Sequence, residues 1–317
     1  MADPLDSPEV EVSAKDQLNP RLEDVEPVRP RRTLITGCRG QLGRALAALW
    51  PDADQVDLDE LDLTDPAALA AWPWPEYDLI LNAAAYTAVD RAETDGRTTA
   101  WAANAAAPAA LARVADMHGL TLVHYSTDYV FDGSHKPGGH REDDPLCPLG
   151  VYGQTKAAGD LAVQQSDRHY VLRTSWVIGD GNNFVRTMRN LAGRGVSPGV
   201  VDDQVGRLTF TSELARATRH LVDARAPYGL YNATNGGPAR SWAEIARRVF
   251  ELSGRDAADV TPVTTEEYGA GKDLAPRPLH SLLALDKLTA TGFTPTDADQ
   301  ALVAYLREES ADGSTTP

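Results

Sequence analysis

Three observations predict an α/β fold: a doubly wound parallel sheet with helices on both faces and a smaller lobe built mainly from C-terminal segments. From Arg31 onward, short apolar and β-branched runs alternate with helix-forming runs. Such alternation requires crossover connections and a parallel sheet covered on both sides. The first apolar run leads into the glycine-rich segment GCRGQLG, residues 37–43, and then into a helix former. Further along, VYGQTK at residues 151–156 opens another helix and sets Tyr152 and Lys156 four positions apart.

Taken in order, Arg32-Thr33-Leu34-Ile35-Thr36 reads as the first strand because it is apolar and β-branched. Residues 44–49 are good helix formers. Strand, glycine turn and helix are the context of a Rossmann-type dinucleotide site. Gly37 would allow the tight turn, Gly40 would let backbone approach a pyrophosphate, and Gly43 would let the helix pack on the sheet. The phosphates would meet free N–H groups at the helix N-terminus. The spacing Gly-x-x-Gly-x-x-Gly, rather than Gly-x-Gly-x-x-Gly, points toward short-chain-type reductases.

Gln55-Val56-Asp57 reads as a short second strand and residues 78–82 as a third. Residues 94–118, rich in alanine, predict a long helix interrupted near Pro108. Residues 121–126 and 169–174 read as strands, with a helix over 150–165 between them. Beyond Gly179 the pattern is less regular. Helices are expected at 183–192, 212–223, 242–253 and 296–307, and short strands near Val200 and Leu230. The organisation that follows is a disordered acidic leader over 1–30 and an NAD(P)-binding Rossmann domain over 31–178. Residues 179–309 form mainly a substrate-binding lobe, with segments returning to the first domain, and 310–317 a frayed tail. The leader mixes Asp and Glu with five prolines and lacks aromatics.

The chain has 317 residues, 42% of them hydrophobic, enough for a folded core. With 30 basic and 46 acidic residues its net charge is −16, which argues against nucleic acid and anionic membranes as partners. Cys38 and Cys147 are the only cysteines. They form neither a disulfide framework nor a zinc spacing, so a reducing cytoplasm is the expected compartment. No apolar run approaches the roughly 18 residues of a membrane span, and the N-terminus lacks signal-peptide character.

Residues i and i+4 share a helix face, so the Tyr152 phenol and Lys156 ammonium can point into one site. A phenol with a pKa of about 10 is a poor acid or base at neutral pH, and a nearby ammonium lowers it. The pairing suits proton transfer to or from a carbonyl or alcohol oxygen. Thr127 ends a strand at the C-terminal sheet edge, where ligands of such sheets bind, and could hydrogen-bond the same oxygen. At that edge Asn82-Ala83-Ala84-Ala85-Tyr86 offers small residues that let backbone approach a cofactor.

GCRGQLG, NAAAYTAVDRAE, HYSTDYVFDG, VYGQTK and RTSWV follow one another in an order and spacing that resembles the extended short-chain dehydrogenase/reductases. More narrowly, they are similar to the dTDP-4-dehydrorhamnose reductase family, over residues 32–306. The triplet AVD at 88–90 and the tryptophan of RTSWV carry the narrower likeness. The resemblance implies reduction, by NADPH with NADH also tolerated, of the C4 ketone of dTDP-4-dehydro-6-deoxy-L-mannose to dTDP-L-rhamnose. It implies that Tyr152 donates the proton, Lys156 holds the nicotinamide ribose and lowers the tyrosine pKa, and Thr127 polarises the carbonyl. Gly40, Gln41 and Leu42 would lie at the pyrophosphate, Asp57 near the adenosine ribose, and Asp62 and Leu63 along the adenine. Ala85, Tyr86 and Thr87 would sit beside the cofactor. Val89, Asp128, Trp176 and Arg277 would contact substrate, Arg277 at the diphosphate. Asp57 favours NADH through a ribose hydroxyl, while Arg39 favours NADPH through a 2′-phosphate.

The chain departs from the family at His280, where asparagine is usual, and at Leu283, where some members carry arginine. One glutamate of the family's metal-linked dimers is Ala45 here, although Glu213 matches another, so no magnesium is expected and the state is monomer or homodimer. Three alternatives remain open. One is a sister dTDP-4-keto sugar reductase of antibiotic synthesis, such as one making dTDP-dihydrostreptose. A second is a non-catalytic relative like the regulatory subunit of methionine adenosyltransferase. The third is an epimerase or dehydratase.

Overall fold

The computed structural model describes residues 32–312, with side chains as far as residue 308. The expected leader lies outside the described residues, as does the tail beyond 312. The first half runs β1 (Arg32–Thr36), α1 (Gln41–Leu49), β2 (Asp54–Val56), α2 (Pro66–Ala71), β3 (Tyr77–Asn82), α3 (Val89–Ala92) and α4 (Arg97–Trp101). A π-helical turn over Ala102–Ala106 leads into α5 (Ala107–His118), followed by β4 (Thr121–Thr127), α6 (Val151–Val163) and β5 (His169–Thr174). The second half runs β6 (Val177–Ile178), α7 (Phe184–Gly193), β7 (Gly199–Val201), β8 (Val205–Gly206), β9 (Thr209–Phe210), α8 (Thr211–Asp223) and β10 (Gly229–Asn232). It ends with β11 (Arg240–Ser241), α9 (Trp242–Leu252), β12 (Thr261–Val263), α10 (Thr265–Gly269), α11 (Asp286–Thr289) and α12 (Ala298–Asp312). The last helix therefore includes residues 310–312, expected as part of the frayed tail.

Six strands form one parallel sheet in the order β10-β5-β4-β3-β1-β2. This is the doubly wound order 2-1-3-4-5 with one strand added, and its switch point lies between β1 and β3. Both sheet faces are buried, because neighbouring residues on each strand are both apolar. Ile35, Leu81, Val123 and Leu172 point to one face and meet Leu46 of α1 and Leu214 and Leu221 of α8. Leu34, Ile80, Leu122 and Val171 point to the other and meet Leu111 and Ala115 of α5 and Val163 of α6. The period of two in side-chain direction produces this division.

The strand expected near Leu230 joins this sheet beside β5, while the one expected near Val200 pairs with β12 away from it. Ile178, Val185, Met188, Val249, Phe250, Leu302 and Leu306 form a third core, drawn from β6, α7, α9 and α12. The long alanine-rich helix is interrupted near Pro108, as expected: the π turn over Ala102–Ala106 ends two residues before it. Pro108 has no N–H for the carbonyl four residues back, that of Asn104 in the π turn.

α6 is tied to β5 by an ion pair between Asp160 and Arg173, 3.0 Å apart and both almost wholly buried. Burial pushes the Asp160 carboxyl upward, and the Arg173 guanidinium opposes that shift. Removing one partner of such a pair strands the other charge, at a cost of about 3–5 kcal/mol. Arg173→Met should therefore lower unfolding free energy by about that amount in a urea titration. A loss below about 1 kcal/mol would mean that the pair does not anchor α6.

Candidate active site

The switch point between β1 and β3 brings the glycine turn and the segment after β3 into contact. Gly37 has φ +67°, and a side chain there would stand 2.6 Å from the Ala84 nitrogen. A side chain at Gly43 would run into the Gly37 carbonyl. Both positions therefore demand glycine. Gly40 caps α1 with no side-chain acceptor, and the first turn holds no acidic residue. Its N–H groups and positive dipole end are open to an anionic ligand, as a pyrophosphate site requires.

That helix end opens into a cleft of about 760 Å³ along the C-terminal edge of the sheet. Arg39, Gly40, Gln41, Leu42, Ala85, Thr87, Val89, Thr127, Asp128, Tyr152, Lys156 and Trp176 all line it, so twelve of the sequence-derived candidates share one cavity. The residues present fit a dinucleotide with its pyrophosphate at α1 and its reactive end toward Tyr152. Gly37, Gly43, Ala83 and Ala84 shape the floor of the turn behind it. Asp57 follows β2, and its carboxylate accepts from the backbone N–H groups of Arg39 at 3.0 Å and Leu58 at 2.9 Å.

A second cleft of about 430 Å³ shares Tyr129, Trp176 and Trp242 with the first and extends to Arg277. Trp176 stands between them in left-handed backbone (φ +47°), stacked on Trp242 with ring centroids 3.7 Å apart. A non-glycine residue in that region is strained, and such strain concentrates at functional sites.

Thr127 donates a hydrogen bond to Asp128 at 3.1 Å and is also hydrogen-bonded with the Tyr152 phenol. Burial pushes Asp128 up to about 6, with bonds to Ser281 and Thr127 opposing. The Tyr152 phenol is pushed upward, first by burial and then by Asp128 and Tyr129. The net shift is therefore upward, where the Lys156 ammonium alone would give a lowered phenol. The ammonium instead donates to the Tyr125 carbonyl at 2.5 Å and lies 3.3 Å from His124 Nε2. Burial brings Lys156 down to about 8, against the pull of Asp160.

Several candidates stand elsewhere than the sequence suggested. Leu63 is buried in the core under α2 and α5, and Asp62 bonds the Thr64 backbone and hydroxyl, so neither lines the cleft. Tyr86 packs, as Tyr152 does, against the cluster of Ala92, Ala100 and Val151, and does not line the cleft. Arg277 lines the second cleft, but its fork is occupied by Asp90, at 2.8 and 2.9 Å. Leu283 is wholly buried against Val130 and Phe131, while His280 packs edge-on against His135. Glu213 is satisfied internally by Arg216 and Thr296. Among the described residues no group of three or more His, Cys, Asp or Glu side chains could hold a metal ion.

Two positioning residues were missed. Asn104, in the π turn, bonds both the N–H and the carbonyl of Tyr86 and the Thr155 hydroxyl. A lone asparagine inside Ala-Ala-Asn-Ala-Ala was the available signal. Glu93 accepts the Val151 N–H at 2.7 Å and so caps α6 in place of Gly150, which has no side chain. Its signal was only its place in NAAAYTAVDRAE.

A parallel sheet with its glycine turn at the switch point, and a tyrosine and lysine on one helix over the same edge, define an oxidoreductase of the short-chain dehydrogenase/reductase type. The comparisons narrow this. A family model described as the RmlD substrate binding domain matches residues 31–311. A dTDP-4-dehydrorhamnose reductase of Aggregatibacter actinomycetemcomitans is 39% identical over 290 residues, 86% of this chain and 97% of its own. A probable dTDP-4,6-dihydroxy-2-methyloxan-3-one 4-ketoreductase of Streptomyces antibioticus is 41% identical over 276 residues, 83% and 90% of the two chains. The solved structure of dTDP-4-dehydrorhamnose reductase from Bacillus anthracis, in complex with NADP, has a TM-score of 0.80 and 32% identity, covering 88% of this chain and 99% of that one. The chain belongs to the RmlD substrate binding domain family.

The opposed shifts of Tyr152 and Lys156 set a pH dependence. As pH rises the lysine, at about 8, loses its proton well before the phenol does. A reaction that needs ammonium and protonated phenol together should show kcat/KM falling above about pH 8. A flat profile from pH 7 to about 9.5 would remove the charged lysine from the rate law.

Proposed function

We propose that the protein reduces the C4 ketone of dTDP-4-dehydro-6-deoxy-L-mannose to dTDP-L-rhamnose, using NADPH and accepting NADH. The observation that carries this reading is the single cleft that joins the uncapped end of α1 to Thr127, Tyr152 and Lys156 and continues into the cleft of Trp176 and Arg277. The names of the relatives and the NADP complex support it.

When bound, the reduced nicotinamide supplies the hydride. Gly40, Gln41 and Leu42 would hold its pyrophosphate at the helix end, and Lys156 would meet its ribose. Tyr152 acts as the acid. Its raised pKa keeps the phenol protonated at neutral pH, the state from which it can protonate the oxygen left at C4. Thr127 would turn its hydroxyl proton from Asp128 to the same oxygen and fix its direction. The buried ammonium of Lys156 stabilises the phenolate that remains. Asp128, with one carboxylate oxygen lacking a hydrogen-bond partner, is placed to accept from a sugar hydroxyl. Arg277 would release part of its fork from Asp90 to receive the diphosphate.

Cofactor preference turns on Arg39. Its guanidinium, the group that would meet a 2′-phosphate, pairs with Asp59 at 2.7 Å and with Glu60. Both pairs are exposed and weak, so a phosphate can compete for the arginine. The reading includes action in the cytoplasm as a monomer or homodimer, without nucleic-acid or membrane partners. The net charge of −16 argues against nucleic-acid and anionic-membrane partners, and among the described residues no helix is long and apolar enough to cross a membrane. A second reading is reduction of another dTDP-4-keto sugar. The likeness to the Streptomyces antibioticus ketoreductase supports it.

The deciding experiment incubates the protein with dTDP-4-dehydro-6-deoxy-L-mannose and each reduced nicotinamide and identifies the sugar product by NMR. The expected product is dTDP-L-rhamnose, with Tyr152→Phe reducing kcat by at least about 100-fold. Oxidation of neither cofactor would sink the primary reading, and turnover of a different keto sugar would establish the second.

A further inference from the structure

Lys156 is buried against β4, and two groups there face its ammonium: the Tyr125 carbonyl at 2.5 Å and ring Nε2 of His124 at 3.3 Å. His124 is fully buried, and its Nδ1 lies 3.1 Å from Asn82 Nδ2. Asn82 Oδ1 in turn accepts from the Thr36 hydroxyl at 2.8 Å. A continuous buried chain of side chains thus runs from β1 through β3 and β4 to the catalytic lysine. The mechanism above uses none of Thr36, Asn82 and His124.

Hydrogen-bond accounting limits what this chain can do. An ammonium has only donors, and a neutral imidazole has one donor and one acceptor. With the Asn82 amino group toward Nδ1, the ring proton sits on Nε2 and faces Lys156, which can accept it only as a neutral amine. With the amide turned over, Asn82 Oδ1 accepts from Nδ1–H, the Thr36 oxygen accepts from Asn82 Nδ2, and His124 Nε2 accepts from the ammonium. Only the second arrangement satisfies a charged lysine. Burial and the neighbouring lysine hold His124 well below its usual pKa, so the ring is neutral and able to accept.

We propose that His124, held in its Nδ1–H tautomer by Asn82 and Thr36, is a positioning residue that keeps Lys156 charged and aimed at the site. The other groups acting on the lysine are Asp160 on its own helix and the Tyr125 carbonyl on β4, with Arg173 of β5 paired to Asp160. Of these Asp160 alone carries negative charge, and it is shared with Arg173. The Nε2 acceptor therefore matters to the lysine charge, since a hydrogen bond to a buried charged group is among the stronger ones.

The inference rests on the proposed role of Lys156, but its NMR tests need no substrate, so it can fail or stand whatever the sugar proves to be. In the ligand-free enzyme, 15N chemical shifts of the ring should show His124 protonated on Nδ1 at pH 6–7. In His124→Phe, which removes the acceptor, the Lys156 midpoint followed by 13C NMR at Cε should fall by about one pH unit or more. The alkaline limb of kcat/KM should move down with it. His124→Gln keeps an amide oxygen near the Nε2 position and should restore most of both. A ring protonated on Nε2 at pH 6–7 would overturn the proposal, as would a His124→Phe variant that leaves the Lys156 midpoint where the parent has it. The tautomer measurement stands even if the Phe variant does not fold.

Discussion

The site depends on how closely α6 lies against the C-terminal edge of the sheet. A side chain at Gly159 would strike the Asn104 carbonyl, and one at Gly153 would strike the Tyr129 carbonyl. Without side chains at these two positions the helix backbone rests directly on the π turn and on the short 3-10 turn after β4. That approach presses Lys156 onto the Tyr125 carbonyl and brings Tyr152 to Thr127. The Asp160–Arg173 pair holds the middle of the helix to β5, and Glu93 holds its first turn.

Such close packing has electrostatic consequences. Lysine, histidine, tyrosine and aspartate are drawn out of water together, and burial disfavours the charged form of each. The phenol and Asp128 move up while the lysine and His124 move down. The outcome suits a reductase in particular. The tyrosine stays protonated until an alkoxide forms beside it, and the lysine charge is poised rather than fixed. The Lys156 charge would then offset part of the cost of burying the phenolate once the proton has left.

Much of this was legible before any coordinates. Apolar neighbours such as Leu34-Ile35 and Leu122-Val123 announced strands buried on both faces, and the glycine turn announced the helix end that opens into the cleft. Tyr152, Lys156 and Thr127 could be named because their chemistry is local: a helical spacing and a strand end. What could not be read depends on partners distant in the chain. Arg277 is paired with Asp90, 187 positions away, and the upward shift of Tyr152 comes first from its burial and then from Asp128 and Tyr129, which fold across the helix. Leu63 belongs to the core rather than the cleft because the sheet order places α2 against α5. The π turn at Asn104 escaped notice because helical propensity says nothing of one extra residue in a turn.

The most direct test of this account is the kcat of Gly159→Ala, measured beside Gly193→Ala in α7, where nothing lies within 4 Å of an added methyl. The methyl at 159 must push α6 off the Asn104 carbonyl and carry Lys156 and Tyr152 with it. We expect kcat to fall by about 100-fold in a folded protein, as displacements near 1 Å commonly cause, while the control keeps parental turnover. Parental kcat in a folded Gly159→Ala protein would contradict the claim that this contact sets the site.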